Sequence, residues 1–278
     1  MNQALPICCN PQAYRLLESQ VASLGSSDAL LNGAVAIASH QLRDVDLASV
    51  DQAIQEHANK IRSRVRSSRR HVLVAHLHEY LFEELAFVGN RDDYYNAVNS
   101  YLPAVLETKR GLPISLCLVY KLIAERLGLR VNGVGLPGHF VVSVHTDGEP
   151  MLIDCFEGGR LLSREEAHQK VMDIHGPDTE WDDELLRPVS NRHWLTRMLQ
   201  NLLNVFGARS QYTDVAAILE MEMLLWPDQN QLQRDLGLVL ARCGMPGPAS
   251  QWLDAYLENN PDDPQREDLL QLRNVLTA

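Results

Sequence analysis

An α+β fold followed by an all-α segment is predicted for this 278-residue chain, and three observations carry the prediction. Apolar residues recur at helical spacing from about residue 11 to 127, at strand spacing from 129 to 156, and at helical spacing again from about 190 onward. At 45% hydrophobic the chain can build one large core or two medium ones. The expected division is 1–188, helical over 1–70 with the core at 71–188, followed by a helical unit at 189–278.

Taken in order, Tyr14, Leu17, Val21 and Leu24 share a helix face, as do Leu30, Ala34, Ile37 and Ala38. Asp46 and Asp51 are candidate helix starts ahead of Ala53, Ile54, Ala58 and Ile61. Residues 71–88 read as a strongly apolar helix capped at Gly89-Asn90, and 98–109 as another ended by Gly111. In 113–127 only Ser115, Lys121, Glu125 and Arg126 are clearly polar, so that helix is expected to be buried on most sides. Leu129–Leu136, His139–His145 and Met151–Phe156 read as strands, with Asp147-Gly148 as a two-residue hairpin turn. Ser163-Arg-Glu-Glu166 is a capping box that opens the next helix.

The tail carries a repeat. Trp226-Pro227-Asp228 and Asn260-Pro261-Asp262 set their prolines 34 residues apart, each closing an amphipathic helix. That is the tetratricopeptide period, in which helix pairs stack because neither buries its apolar face alone. Leu236, Leu240, Ala249, Trp252, Tyr256 and Leu257 fit the packing positions, and the helix at 191–206 is expected to dock the repeats onto the first domain.

Composition narrows the function classes. A net charge of −11 and a pI near 5.3 argue against nucleic acid or an anionic membrane as partner, since both need a basic surface. The one basic run, Lys60 to Arg70 with six basic residues in eleven, reads as a solvated helix face and its exit loop. Five cysteines without a Cys-x-x-Cys spacing indicate reduced thiols and a cytoplasmic setting. No metal or cofactor is implied: His76, His78 and Glu79 do not converge as metal ligands on one helix, and Gly133 to Gly138 leads into no phosphate-binding helix. Glu83-Glu84 and Arg91-Asp92-Asp93 read as caps and surface charge.

The chemistry-bearing residues lie between 110 and 159. A turn at Asp147-Gly148 pairs Thr146 with Glu149 and, counting back, Val141 with Asp154. His139 is then a diagonal neighbour of Asp154 on one sheet face, with Cα atoms roughly 7–8 Å apart. An Asp–His bond at that distance orients an imidazole as in a catalytic triad, or merely braces the sheet. The start of the helix at Pro113 offers free amides and a positive dipole end to a nucleophile or oxyanion. Ser115 is the one hydroxyl or thiol in that first turn, either as nucleophile or as a residue satisfying local amides. Cys117 is the second candidate, against its reading as a core thiol.

Helix start, histidine, then carboxylate is the chain order of papain- and transglutaminase-type acyl transfer. The segments Leu81-Phe82-Glu83-Glu84-Leu85-Ala86-Phe87-Val88-Gly89-Asn90, Asn99-Ser100-Tyr101-Leu102, Arg110-Gly111-Leu112-Pro113-Ile114-Ser115-Leu116, Gly133 to Phe140 and Ile153-Asp154, with Tyr94, resemble the bacterial invasion-regulator B (SirB-type) proteins. The resemblance implies a transglutaminase-like, papain-like core joined to a C-terminal tetratricopeptide segment, with a related domain in some eukaryotic F-box proteins. It matches His139 and Asp154 to the second and third triad members and supplies no cysteine nucleophile, since Pro113 falls near the expected place and a small shift offers Ser115. Two functions follow. One is a regulatory, protein-binding module without cysteine-dependent transamidation, which takes a protein or peptide partner through the cleft and the tail. The other is an amide or ester hydrolase or acyltransferase using Ser115, His139 and Asp154.

Overall fold

Helices start where short polar side chains can take up free amides. The structure, a computed structural model, describes residues 5–277. Asn10 caps α1 (Pro11–Gln20), Ser26 caps α2 (Ser27–Ser39), and Asp46 caps α3 (Leu47–Arg64) by accepting from Ala48 and Ser49. Asp51 lies inside α3 and starts nothing. The three helices precede α4 (Arg70–His78).

The helix expected over 71–88 ends sooner. After His78 it widens into a π-helical turn, Glu79–Glu84, and Ala86 at φ +55 reverses the chain. Val88–Gly89 is instead strand β1, parallel to β2 (Arg110–Gly111). Gly89 is there for close approach: a Cβ on it would stand 2.3 Å from the Phe156 ring. The helix expected over 98–109 also divides, into a 3₁₀ turn at Ala97–Ser100 and α5 (Leu102–Thr108), with Tyr101 extended between them and Pro103 in the first turn of α5, where its missing amide costs nothing. It ends on Lys109 at φ +60, not at Gly111.

Helix α6 (Pro113–Arg126) is buried on nearly every side. Its one deep charge, Lys121, is held by Glu125 and the carbonyl of Val131. It packs on β3 (Arg130–Val134) and β4 (Val141–His145), which with β5 (Met151–Asp154), β6 (Arg160–Leu162) and β7 (Pro188–Val189) form one antiparallel sheet in the order β6-β5-β4-β3-β7. The hairpin register pairs Val142 with Ile153 and Val144 with Met151, the register that the Asp147-Gly148 turn implies. Strands β6 and β7, of three and two residues, are too short for any sequence period to show.

The two sheet faces bury different clusters. Val142, Val144 and Ile153 face the large core around α6, while Val134, Val141 and Leu162 face Ala167 and Val171 of α7 (Arg164–His175). The Ser163–Glu166 capping box opens α7.

The remaining chain is helical: α8 (Asn191–Ala208), α9 (Tyr212–Leu225), α10 (Gln231–Arg242), α11 (Pro246–Asn259) and α12 (Arg266–Thr277), each packed on the next. Trp194 of α8 lies fully buried against Phe140, with ring centroids 4.6 Å apart. The large core runs without a break from α1 through α8 into α9, and α10 to α12 extend outward from it.

Candidate functional site

The hairpin register sets Asp154 on the α7 face of the sheet, opposite Ile153, and brings His139 to it. His139 Nε2 lies 2.9 Å from Asp154 Oδ2, while Oδ1 accepts from the amides of Phe156 and Glu157 at 3.0 and 3.2 Å. The carboxylate is fully buried and the imidazole 7% exposed. With an ionised carboxylate as partner, Nε2 carries the proton of the neutral ring and Nδ1 keeps its lone pair. Nδ1 has no hydrogen-bond partner among the described residues.

Lys170 is the member of the site that sequence reasoning missed. From the second turn of α7 its ammonium reaches Asp154 Oδ2 at 2.9 Å and Glu157 at 3.5 Å. Burial alone would push the Asp154 carboxyl up; the bonds from His139 and Lys170 outweigh it and hold the group below the ordinary carboxylate range. The capping box announced α7 but not which of its faces meets the sheet, so no local signal pointed to Lys170.

A second missed residue, Arg197 of α8, holds the loop that carries His139. Its guanidinium donates to the carbonyls of Leu136 and His139 and lies over the Phe140 ring. Gly138, at φ +67, turns the chain between these anchors. Phe156 stacks edge-on against the imidazole and against Tyr94, which in turn meets the exposed Tyr95.

Ser115 is not brought to His139. Its hydroxyl, 0% exposed, donates to the carbonyls of Asn99 at 2.6 Å and Leu112 at 3.0 Å and accepts from the Leu112 amide at 3.0 Å. It therefore satisfies the start of α6 and the turn at Asn99, whose side chain is itself bonded to Asn90 and to the carbonyls of Asp93 and Tyr94. Cys117 is fully buried with its thiol 3.5 Å from the Phe140 carbonyl. Cys155 is a free, fully buried thiol too, its pKa pushed up by burial and by a hydrogen bond with the Cys117 thiol. Leu112 and Pro113, at the mouth of the helix, are both buried and carry no nucleophile.

The arrangement is an oriented base without a nucleophile in bonding contact among the described residues. Nδ1 can accept a proton or a hydrogen bond from a group brought to it, and Lys170 keeps Asp154 charged while it does so.

Comparison with known proteins gives the family. The profile described as "Transglutaminase-like superfamily" matches residues 48–200, which span α6, the sheet and most of α8. A "UPF0162 protein" of Xylella fastidiosa is 34% identical over 236 residues, 84% of each chain. One from Vibrio cholerae is 25% identical over 70% of this chain and 73% of its own. Human "F-box only protein 21" is 32% identical over 163 residues, which are 55% of this chain and 25% of that protein. Among solved structures, menin aligns over 99% of this chain and 72% of its own at 9% identity; its TM-score of 0.42 establishes no common fold. By the profile match and by its Xylella relative, the chain belongs to the transglutaminase-like family.

Proposed function

We propose that the protein is a transglutaminase-like binding and regulatory module that lacks cysteine-dependent transamidation and engages a protein or peptide partner. The observation that carries this reading is the mouth of α6. At the place that the family resemblance gives the nucleophile stands buried Pro113, and the hydroxyl of that first turn, Ser115, gives its proton to main-chain carbonyls and accepts from the Leu112 amide. Loss of a nucleophile removes several orders of magnitude in rate but leaves the surface around it able to bind. The aromatic path from His139 through Phe156 and Tyr94 to exposed Tyr95 suits a side chain or extended peptide.

The tail supports the partner half of the reading. The pairs α8–α9 and α10–α11 each end on a proline, Pro227 and Pro261. Gly237 lets α11 approach α10, since a Cβ there would stand 2.9 Å from Leu253 and 3.2 Å from the carbonyl of Ala249. Leu236-Gly237-x₂-Leu240, Ala249-x₃-Leu253 and Pro261 follow the tetratricopeptide pattern. The hydrolase alternative, with Ser115, His139 and Asp154, has the oriented imidazole in its favour and the burial of the hydroxyl against it.

Two measurements test the proposal. Serine- and cysteine-directed electrophiles should leave the folded protein unlabelled at Ser115 and Cys117; a stoichiometric adduct on either, lost in His139→Ala, overturns the non-enzymatic reading. A photo-reactive residue placed at Tyr95 should cross-link one discrete partner in cells, and its failure to do so removes the binding surface at His139.

A further inference from the structure

The amino-terminal segment is bound to the tail the way a peptide is bound to a receptor. The amides of Ile7, Cys8 and Cys9 all donate to one side chain, Glu220 of α9, at 2.6, 3.0 and 2.7 Å. Residues 5–10 form neither helix nor strand, and Glu220 is almost fully buried beneath them. A carboxylate that collects successive main-chain amides reads backbone rather than side chains, so its requirement is three consecutive non-proline residues.

The occupant fits this seat incompletely. Cys9 is buried, but Leu5 and Ile7 remain 61% and 40% exposed. Beside them lies a cavity of about 680 Å³, with Leu5, Pro6 and Ile7 on one wall and Met223, Leu224, Pro227 and Trp252 on the other. Among the described residues its charged lining consists of Glu18 and Glu220, with no basic residue.

We infer that this groove is a site for an extended peptide, which residues 5–9 occupy in cis and a segment of another protein displaces. The partner segment offers three successive free amides to Glu220, fills the apolar cavity that Leu5 and Ile7 leave open, and is neutral or basic to match the two glutamates. A tethered occupant competes at high effective concentration, so displacement requires the better apolar fit that the cavity offers. The inference rests on the partner-binding role of the tail and names the surface and the chemistry of what it takes.

The test uses the full chain and the segment itself as probe. An acetylated, fluorophore-labelled peptide of Leu5–Gln12 is titrated in reductant into wild type and into Cys8→Pro, which removes the central amide and frees the seat. The expected result is binding to Cys8→Pro at least about tenfold tighter than to wild type, with no binding by a probe that itself carries Cys8→Pro. Equal affinity for the two proteins, or equal binding of the two probes, overturns the inference. Hydrogen exchange on wild type decides the question even where Cys8→Pro does not fold. The amides of Ile7, Cys8 and Cys9 should exchange through a local opening at least about a hundredfold more often than those of α9, and exchange only in step with α9 overturns the inference. Both measurements use purified protein and say nothing of Tyr95 cross-linking, so the two readings fail separately.

Discussion

The guanidinium of Arg197 donates to the main-chain carbonyl of His139 at 3.0 Å, so a helix at the root of the tail holds the loop that presents the imidazole. A second bond, to Leu136 at 3.1 Å, fixes the same loop one turn earlier. Burial lowers the Arg197 pKa, yet a guanidinium stays charged at any physiological pH. Arg197→Lys keeps the charge, but its side chain is one bond shorter than the nitrogen that serves both carbonyls and it lacks the planar group that lies over Phe140. It is expected to cost about 1–3 kcal/mol in urea unfolding and to broaden the His139 ring resonances in NMR spectra.

Lys170→Met separates the bracing of Asp154 from its bond to His139. The carboxyl is held low in the fold, so its stabilising contribution is complete above the unfolded value near pH 4 and is lost as pH falls through the lower folded value. Removing the ammonium raises the folded value. The variant should be less stable at neutral pH by roughly 1–3 kcal/mol, with a flatter acid limb, while a carbon-detected titration shows Asp154 moving up.

Ser115→Ala leaves the Leu112 amide without its acceptor and takes a donor from the Asn99 carbonyl. The expected cost is about 1–3 kcal/mol of stability by chemical denaturation, whatever partner or chemistry the protein serves. A variant as stable as wild type would contradict the structural role of this hydroxyl.

His78 gives the fold a pH dependence of its own. It sits 3.1 Å from the Tyr120 hydroxyl, edge-on to Phe82 and Tyr120, and burial holds its pKa down to about 4. The unfolded ring binds a proton near pH 6.5, so stability is full above that value and declines as pH falls toward 4, by roughly 2–3 kcal/mol. His40 and His57 are lowered by burial too and act with the same sign. In His78→Gln the slope of unfolding free energy between pH 6.5 and 4 should flatten by about that amount without vanishing.

Gly133→Ala probes the contact between sheet and tail. A Cβ at this position would stand 2.4 Å from the Trp194 ring and 2.7 Å from Phe140. Both rings are fixed in the core, so the expected outcome is a loss of about 1–3 kcal/mol seen as a lower melting temperature.

Local chemistry governs everything that was legible in the residue order. A two-residue turn sets its hairpin register within ten residues, and that register is why His139 and Asp154 could be paired on paper. Caps at Asp46 and Ser163 announce helices because an oxygen and an amide three residues apart need nothing else. Helix ends were less legible: the π turn after His78 sets Phe82 against Gly159, and the strand at Gly89 answers to Phe156, both more than sixty residues away. Ser115 is the sharpest case, since a first-turn serine has the same spacing whether its hydroxyl faces a cleft or the carbonyl of Asn99. Lys170, Arg197 and Glu220 became functional candidates only once α7, α8 and α9 were in place. Their partners lie 16, 58 and 211 residues away along the chain, beyond the reach of any periodicity, and burial rather than sequence spacing makes their charges matter.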